Sequence, residues 1–132
     1  MKFVHSKVAR ANYTLAQMRN ILDQRHLLLL YNSYLRSNME YCCLLFVLAN
    51  QGSIKPILTL QYKAARTICR ARYRDSAPPL LKRLKILPIN KLIQFNAAKF
   101  MFNYRMGLQP EIFNSTWKKN SEIHAHAVRV AD

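Results

Sequence analysis

Glycine is nearly absent from this sequence. Two glycines and five prolines in 132 residues leave little of the turn chemistry that closely spaced strands require, which argues against an all-β chain. Acids are scarce too, six Asp and Glu against 21 Lys and Arg, for a formal charge of +15 and a sequence pI of about 10.3. Such an excess favours partners that carry many phosphates, either nucleic acid or an anionic membrane surface. The three cysteines include the adjacent pair Cys42 and Cys43, which is poorly placed to bridge itself and gives no disulfide framework. A reducing compartment is expected. The opening MKFVHSK has neither an apolar core nor a small-residue cleavage site of a secretory signal. The expected location is therefore intracellular, nuclear or cytoplasmic, and not secreted.

Groups that catalyse are also missing from any common motif. Asp23, Glu40, Asp75, Glu111, Glu122 and Asp132 lie far apart in sequence, whereas a two-metal centre needs carboxylates converging on ions about 4 Å apart. His124 and His126 with Cys42, Cys43 and Cys69 show no C-x₂-C or H-x₃-H spacing for zinc. Cys43 and Cys69 have no His and acid partner in any motif, so they read as structural rather than nucleophilic. Two glycines cannot supply a phosphate loop. The chain reads as a binder, with no catalytic residues, cofactor or metal site of its own.

What is present is helical periodicity. An apolar content of 51% suits a folded chain with one core. Val4, Val8, Ala11, Leu15, Met18 and Leu22 recur at three and four residues and predict a first helix over 2–22. Asp23 is placed to end that helix as a linker residue and to cap a second helix, Gln24 to about Asn38, with Leu27, Leu30, Tyr31, Tyr34 and Leu35 in the core and Arg36 outward. The run Tyr41 to Ala49 fits either a continuing helix or a buried strand. Leu27 to Ala49 is the longest apolar region, but Arg36, Asn38 and Glu40 stand in its middle. A buried helix or helix pair is expected there rather than a membrane span.

Asn50 to Ser53 predicts a loop, with Ser53 capping a third helix and Pro56 in its first turn. Tyr73 to Pro79 should leave that helix, and Leu80 to Leu84 should form one short turn. A fourth long helix follows over 89–106, with Ile89, Leu92, Ile93, Ala97, Phe100, Met101 and Tyr104 inward and Gly107 closing it. The fold expected is mainly α, an irregular bundle of about four long helices with short connecting segments. Residues 1–113 form the helical region, and 114–132 read as a loosely ordered tail.

The third helix carries the clearest pattern. At about 100° per residue, Lys63, Arg66, Arg70 and Arg74 fall within roughly an 80° sector, while Ile57, Leu58, Ala64, Ala65 and Ile68 gather opposite. Glu at i±4 would relieve the repulsion along such a stripe, and none is interleaved. The stripe fits either a solvated face or a polyanion-binding one. Tyr62 and Tyr73 flank it, placed either to stack on bases or to bury their rings. Lys82, Arg83 and Lys85 add phosphate-binding capacity without reading sequence.

Several of these residues carry a resemblance. Leu60-Gln61 with Ala65-Arg66 and Ile68, then Tyr73-Arg74-Asp75-Ser76, Pro79-Leu80, Leu84 and Ile86-Leu87, together resemble the segment downstream of the polymerase core in reverse transcriptases of non-long-terminal-repeat retrotransposons. Upstream, Ser6-Lys7, Met18-Arg19 and Leu22, then Leu29, Tyr31 and Tyr41-Cys42, are similar to that family's first two helices of the region. Phe46 and Val47 stand where the family has Trp-Gly, and Leu81 where Phe is common. Downstream, Phe100-Met101, Leu108, Pro110 and Ile123-His124 with Arg129 resemble its fourth helix and closing motif, with Val128 in place of Thr.

The resemblance implies the thumb-like and following helices of an RNA-directed DNA polymerase, gripping an RNA/DNA template-primer duplex behind a palm. The palm's paired-aspartate motif, with its Mg, is not in this sequence. The stripe, its flanking tyrosine and the following cluster make Lys63, Arg66, Arg70, Arg74, Lys82, Arg83 and Tyr73 the residues expected to hold such a duplex without reading its sequence. No membrane partner is expected. The alternative is a non-catalytic relic or interaction module whose helices pack on a missing polymerase core.

Overall fold

The computed structural model describes residues 2–41, 43 and 51–113. Helix α1 (Lys2–Met18) is followed by α2 (Gln24–Leu30), which runs through a π-helical stretch, Tyr31–Arg36, into α3 (Ser37–Glu40). Helix α4 (Gln51–Ile68), the short α5 (Ala77–Arg83), α6 (Ile89–Arg105) and a 3-10 turn (Glu111–Phe113) complete it. Among the described residues there is no strand and no helix long and apolar enough to cross a membrane. The fold is mainly α, as expected. The chain forms two compact units, residues 1–97 and 98–132, and the division falls inside α6.

The first unit owns the principal core. Val8, Ala11 and Leu15 of α1 meet Ile57, Ala64, Ala65 and Ile68 of α4, with Leu27, Tyr31, Leu35 and Met39 also buried in the cluster. Leu81, Leu84, Ile89, Leu92 and Ile93 extend it through α5 and the start of α6. Each buried Leu or Ile there contributes about 1.5–3 kcal/mol. Ala11, Ala64 and Ala65 keep the α1 and α4 faces thin, which lets the two helices pack closely. Asn12 adds a cross-link, donating through Nδ2 to the Leu60 carbonyl at 3.2 Å.

Asp23 caps α2 as the sequence predicts, its Oδ1 accepting from the His26 backbone N–H at 2.9 Å. That bond, followed by the contact with the His26 ring, holds the Asp23 carboxyl below its ordinary range. The buried residues Leu27, Tyr31, Leu35 and Met39 recur at strict intervals of four. In a regular α-helix such a stripe drifts by about 40° per step. The π stretch holds more residues per turn and winds the stripe back towards the core. Ser33 and Ser37 accompany it, each donating its hydroxyl to the carbonyl four residues back, Leu29 and Ser33, which loosens the local ladder. The same rewinding corrects the expectation for Tyr34. It is 57% exposed rather than core, and Leu30 is only half-buried.

Helix α4 begins at Gln51, so Gln51, Gly52 and Ser53 are helical rather than the predicted loop, and Ser53 lies inside the helix instead of capping it. Pro56 falls in the second turn, where it cannot donate to the Gly52 carbonyl. Only one turn precedes it, so little ladder is interrupted. Asn50 and most of Tyr41 to Ala49 lie outside the described residues, although Cys43 is buried. The tail 114–132 also lies outside them.

Gln61 is fully buried and joins three parts of the first unit. Its Nε2 donates to the Tyr31 hydroxyl at 2.8 Å and to the Leu87 carbonyl at 2.9 Å, while its Oε1 accepts from the Ile89 N–H at 2.9 Å. It thereby fixes α4 to the π stretch and to the chain entering α6. Burial pushes the Tyr31 phenol up to about 12 from its ordinary 10.0. A group whose folded pKa is raised stabilises fully below its unfolded value and ceases to as pH rises through the folded one. Stability should therefore fall by about 2–3 kcal/mol more between about pH 10 and 12 in the native chain than in Tyr31→Phe. Urea unfolding of both proteins across that window checks this.

In the second unit α6 closes on a Schellman motif. The Leu108 N–H reaches the Asn103 carbonyl at 2.9 Å and the Gly107 N–H reaches Tyr104 at 3.1 Å. Gly107 takes φ 69° with open space around it, so backbone conformation alone selects glycine there. Phe100 packs edge-on against Phe113, centroids 5.6 Å apart. Met101 is exposed, a departure from the inward face predicted for it.

Candidate nucleic-acid interface

The basic stripe does not run on one helix. Helix α4 stops at Ile68, and Arg70 occupies the left-handed position of a second Schellman motif with φ 52°. There the Ala71 N–H bonds the Arg66 carbonyl at 2.9 Å and the Arg70 N–H bonds Thr67 at 3.2 Å. Only Lys63 and Arg66 therefore share the α4 face. Arg70 is the C′ residue, and Arg74 lies in the connection to α5.

That connection is ordered by its single acid. Asp75 Oδ2 accepts from the Arg72 N–H at 2.7 Å, and the Asp75 N–H returns to the Arg72 carbonyl at 3.1 Å. The Asp75 carbonyl accepts from Arg66 Nε at 2.9 Å, and the Arg66 guanidinium lies 6.0 Å from the Tyr73 ring centroid, a cation–π distance. Arg66, Tyr73 and the Arg72–Asp75 turn thus form one assembly, with Tyr73 83% exposed. Arg70 points elsewhere. Its Nη2 donates to the Arg19 and Leu22 carbonyls at 3.3 Å each, tying the end of α4 to the α1–α2 connection.

Helix α5 starts with Pro78 and Pro79 in its first turn, where a free N–H has no intrahelical partner to lose. The prolines thus begin a helix rather than only ending one, and α5 is longer than the predicted single turn. Lys82 and Arg83 occupy its exposed last turn, complementing the negative end of the helix dipole. Lys85 follows at φ 56° in a third Schellman motif, the Ile86 N–H bonding the Leu81 carbonyl at 2.9 Å and the Lys85 N–H bonding Lys82 at 3.1 Å. Between Leu60 and Leu87 the cations are Lys63, Arg66, Arg70, Arg72, Arg74, Lys82, Arg83 and Lys85, against Asp75 alone.

Two of these cations stand where glycine is favoured, at a cost of about 1 kcal/mol each. Lys85→Gly should raise the thermal midpoint by about 4 °C. Arg70→Gly should gain less, because it also loses the two side-chain bonds. Thermal unfolding of the two variants side by side checks the difference.

Sequence reasoning did not single out Arg72 and left Lys85 at the margin. No glycine marks either helix end, and the local signals, the Asp75-Ser76 pair and the prolines Pro78 and Pro79, lie beyond Ile68. Three of the six acids have local structural work: Asp23 caps α2, Glu40 accepts from Arg36 Nε at 2.8 Å, and Asp75 orders its turn. Among the described residues no three His, Cys, Asp or Glu side chains gather to hold a metal ion. No protein-family model, curated protein or solved structure matches this chain.

Proposed function

We propose that this chain is the C-terminal, nucleic-acid-gripping portion of an RNA-directed DNA polymerase of the non-long-terminal-repeat retrotransposon kind. It holds template-primer duplex without turnover of its own, and the catalytic aspartates and Mg belong to a palm outside this sequence. The observation that supports the reading most is the α4–α5 segment, Leu60 to Leu87, which carries eight cations against one acid and an exposed Tyr73 whose ring centroid lies 6.0 Å from the Arg66 guanidinium. Cations of this kind bind phosphates by charge and geometry without reading bases.

Lys63, Arg74, Lys82 and Arg83 are the exposed contacts in this reading, together with the exposed Tyr73. Arg66 and Arg70 contribute charge but also hold the fold through their carbonyl partners. The test is duplex binding as a function of salt, by the chain and by a variant with the four exposed cations replaced by Gln.

One observation favours a second reading, in which the helices pack on a polymerase core. Met101, Phe102, Met106 and Leu108 of the second unit are exposed, and apolar side chains left in water in this number are what a protein contact would cover. In that case sedimentation of the isolated chain gives heterogeneous oligomers indifferent to nucleic acid. In the first reading it gives a monomer that binds duplex.

A further inference from the structure

On the α1 side of the first unit lies a groove of about 280 Å³ between α1 and the π stretch, lined by Lys7, Arg10, Thr14, Tyr34 and Asn38 over a floor of Ala11. On α1, Lys7, Arg10 and Thr14 fall within about 60° of one another. Asn12, which reaches α4, lies about 140–160° further round the same helix. The groove and the α4–α5 cations therefore lie on different sides of α1.

Two features give this groove a ligand chemistry. Its lining has two cations and no carboxylate, and Lys7 Nζ already stands 4.5 Å over the Phe3 ring. It also holds an aromatic ring that the fold turns outward: the π stretch keeps Tyr31 and Leu35 buried while leaving Tyr34 57% exposed. π-Helical turns of this kind recur at functional sites. An exposed ring beside cations stacks on a base only when that base is unpaired, since a duplex hides its base faces.

We propose that this groove binds single-stranded nucleic acid, with an unpaired base stacked on Tyr34 and the adjoining phosphates on Lys7 and Arg10. The proposal rests on the nucleic-acid reading above only for its class of ligand. It uses none of the residues assigned to the duplex. Together the two surfaces let one chain hold a duplex and an adjoining unpaired strand.

The test is fluorescence anisotropy of the full chain with labelled oligothymidylate and, separately, with a labelled blunt DNA duplex at the same salt. Tyr34→Ala should weaken oligothymidylate binding about tenfold, and Tyr34→Phe, which keeps the stacking ring, should bind as the native chain does. Duplex affinity should change less than about twofold in either. A second variant, Lys7→Gln with Arg10→Gln, should flatten the single-strand salt slope by about 1.4. The proposal is overturned if Tyr34→Ala binds oligothymidylate like the native chain, if it loses both ligands equally, or if the native chain binds no oligothymidylate. Tyr34-dependent binding of oligothymidylate by a chain that ignores duplex would instead sustain this site and overturn the duplex reading.

Discussion

Replacing Gln61 with Leu is expected to destabilise the chain by about 3–6 kcal/mol, because it strands three partners at once, two of them buried and the third half-buried. The Ile89 N–H, the Leu87 carbonyl and the Tyr31 hydroxyl would each lose the bond that Gln61 supplies. An unsatisfied buried polar group costs about 1–3 kcal/mol, and three sharing one site do not add fully. Against a total stability of about 5–15 kcal/mol this approaches the whole margin. Urea unfolding should show the midpoint falling by about 2 M at unchanged slope. A loss below about 1 kcal/mol would mean that Gln61 does not join these segments. Gln61→Glu offers a finer check. Ionised, it accepts from Ile89 and Tyr31 but cannot donate to Leu87, so it should be less damaging at a pH low enough to protonate it.

The second large effect concerns binding. Lys63→Gln, Arg74→Gln, Lys82→Gln and Arg83→Gln combined should weaken duplex binding by about a thousandfold or more near 0.1 M salt. Each phosphate contact adds about 0.9 to the log–log slope, so tenfold dilution from about 1 M salt strengthens binding nearly tenfold per contact. All four side chains are exposed. Their removal takes away mutual repulsion but also two cations from the α5 C-terminal turn, and the net change in stability should stay within about 1 kcal/mol. Fluorescence anisotropy beside a thermal melt separates the two quantities. A variant that folds normally and binds within about threefold of the native chain would remove these residues from the interface.

Much of the helix layout was legible because burial imposes period. Val8, Ala11 and Leu15 announce α1, Asp23 announces the start of α2, and Gly107 announces the end of α6. The end of α4 was not legible. Arg70 and Lys85 fill left-handed positions that glycine usually marks, so a stripe extrapolated at 100° per residue ran past Ile68 and placed Arg70 and Arg74 on a face that does not exist. The π stretch was hard to read, because its one trace, the strict four-residue spacing of Leu27, Tyr31, Leu35 and Met39, is masked by the adjoining Leu28, Leu29 and Leu30. It is why Tyr34 read as core.

Gln61 could have been found. On the α4 wheel it falls between Ile57, Ala64, Ala65 and Ile68, and a polar residue in the middle of an apolar arc must have buried partners. At the candidate surface, composition showed the charge, and the helical stripe with the Lys82-Arg83 pair pointed to the residues. The bonds that divide structural cations from exposed ones are tertiary and have no local signature.

The most direct test of the account is the salt dependence of duplex binding by the unaltered chain, measured on two DNA duplexes of unrelated sequence. The predicted result is a log–log slope of about −4 or steeper on both, with closely similar affinities, falling by about 3.6 in the four-Gln variant. A slope near zero, or one that the variant leaves unchanged, would contradict the claim that this basic surface grips nucleic acid.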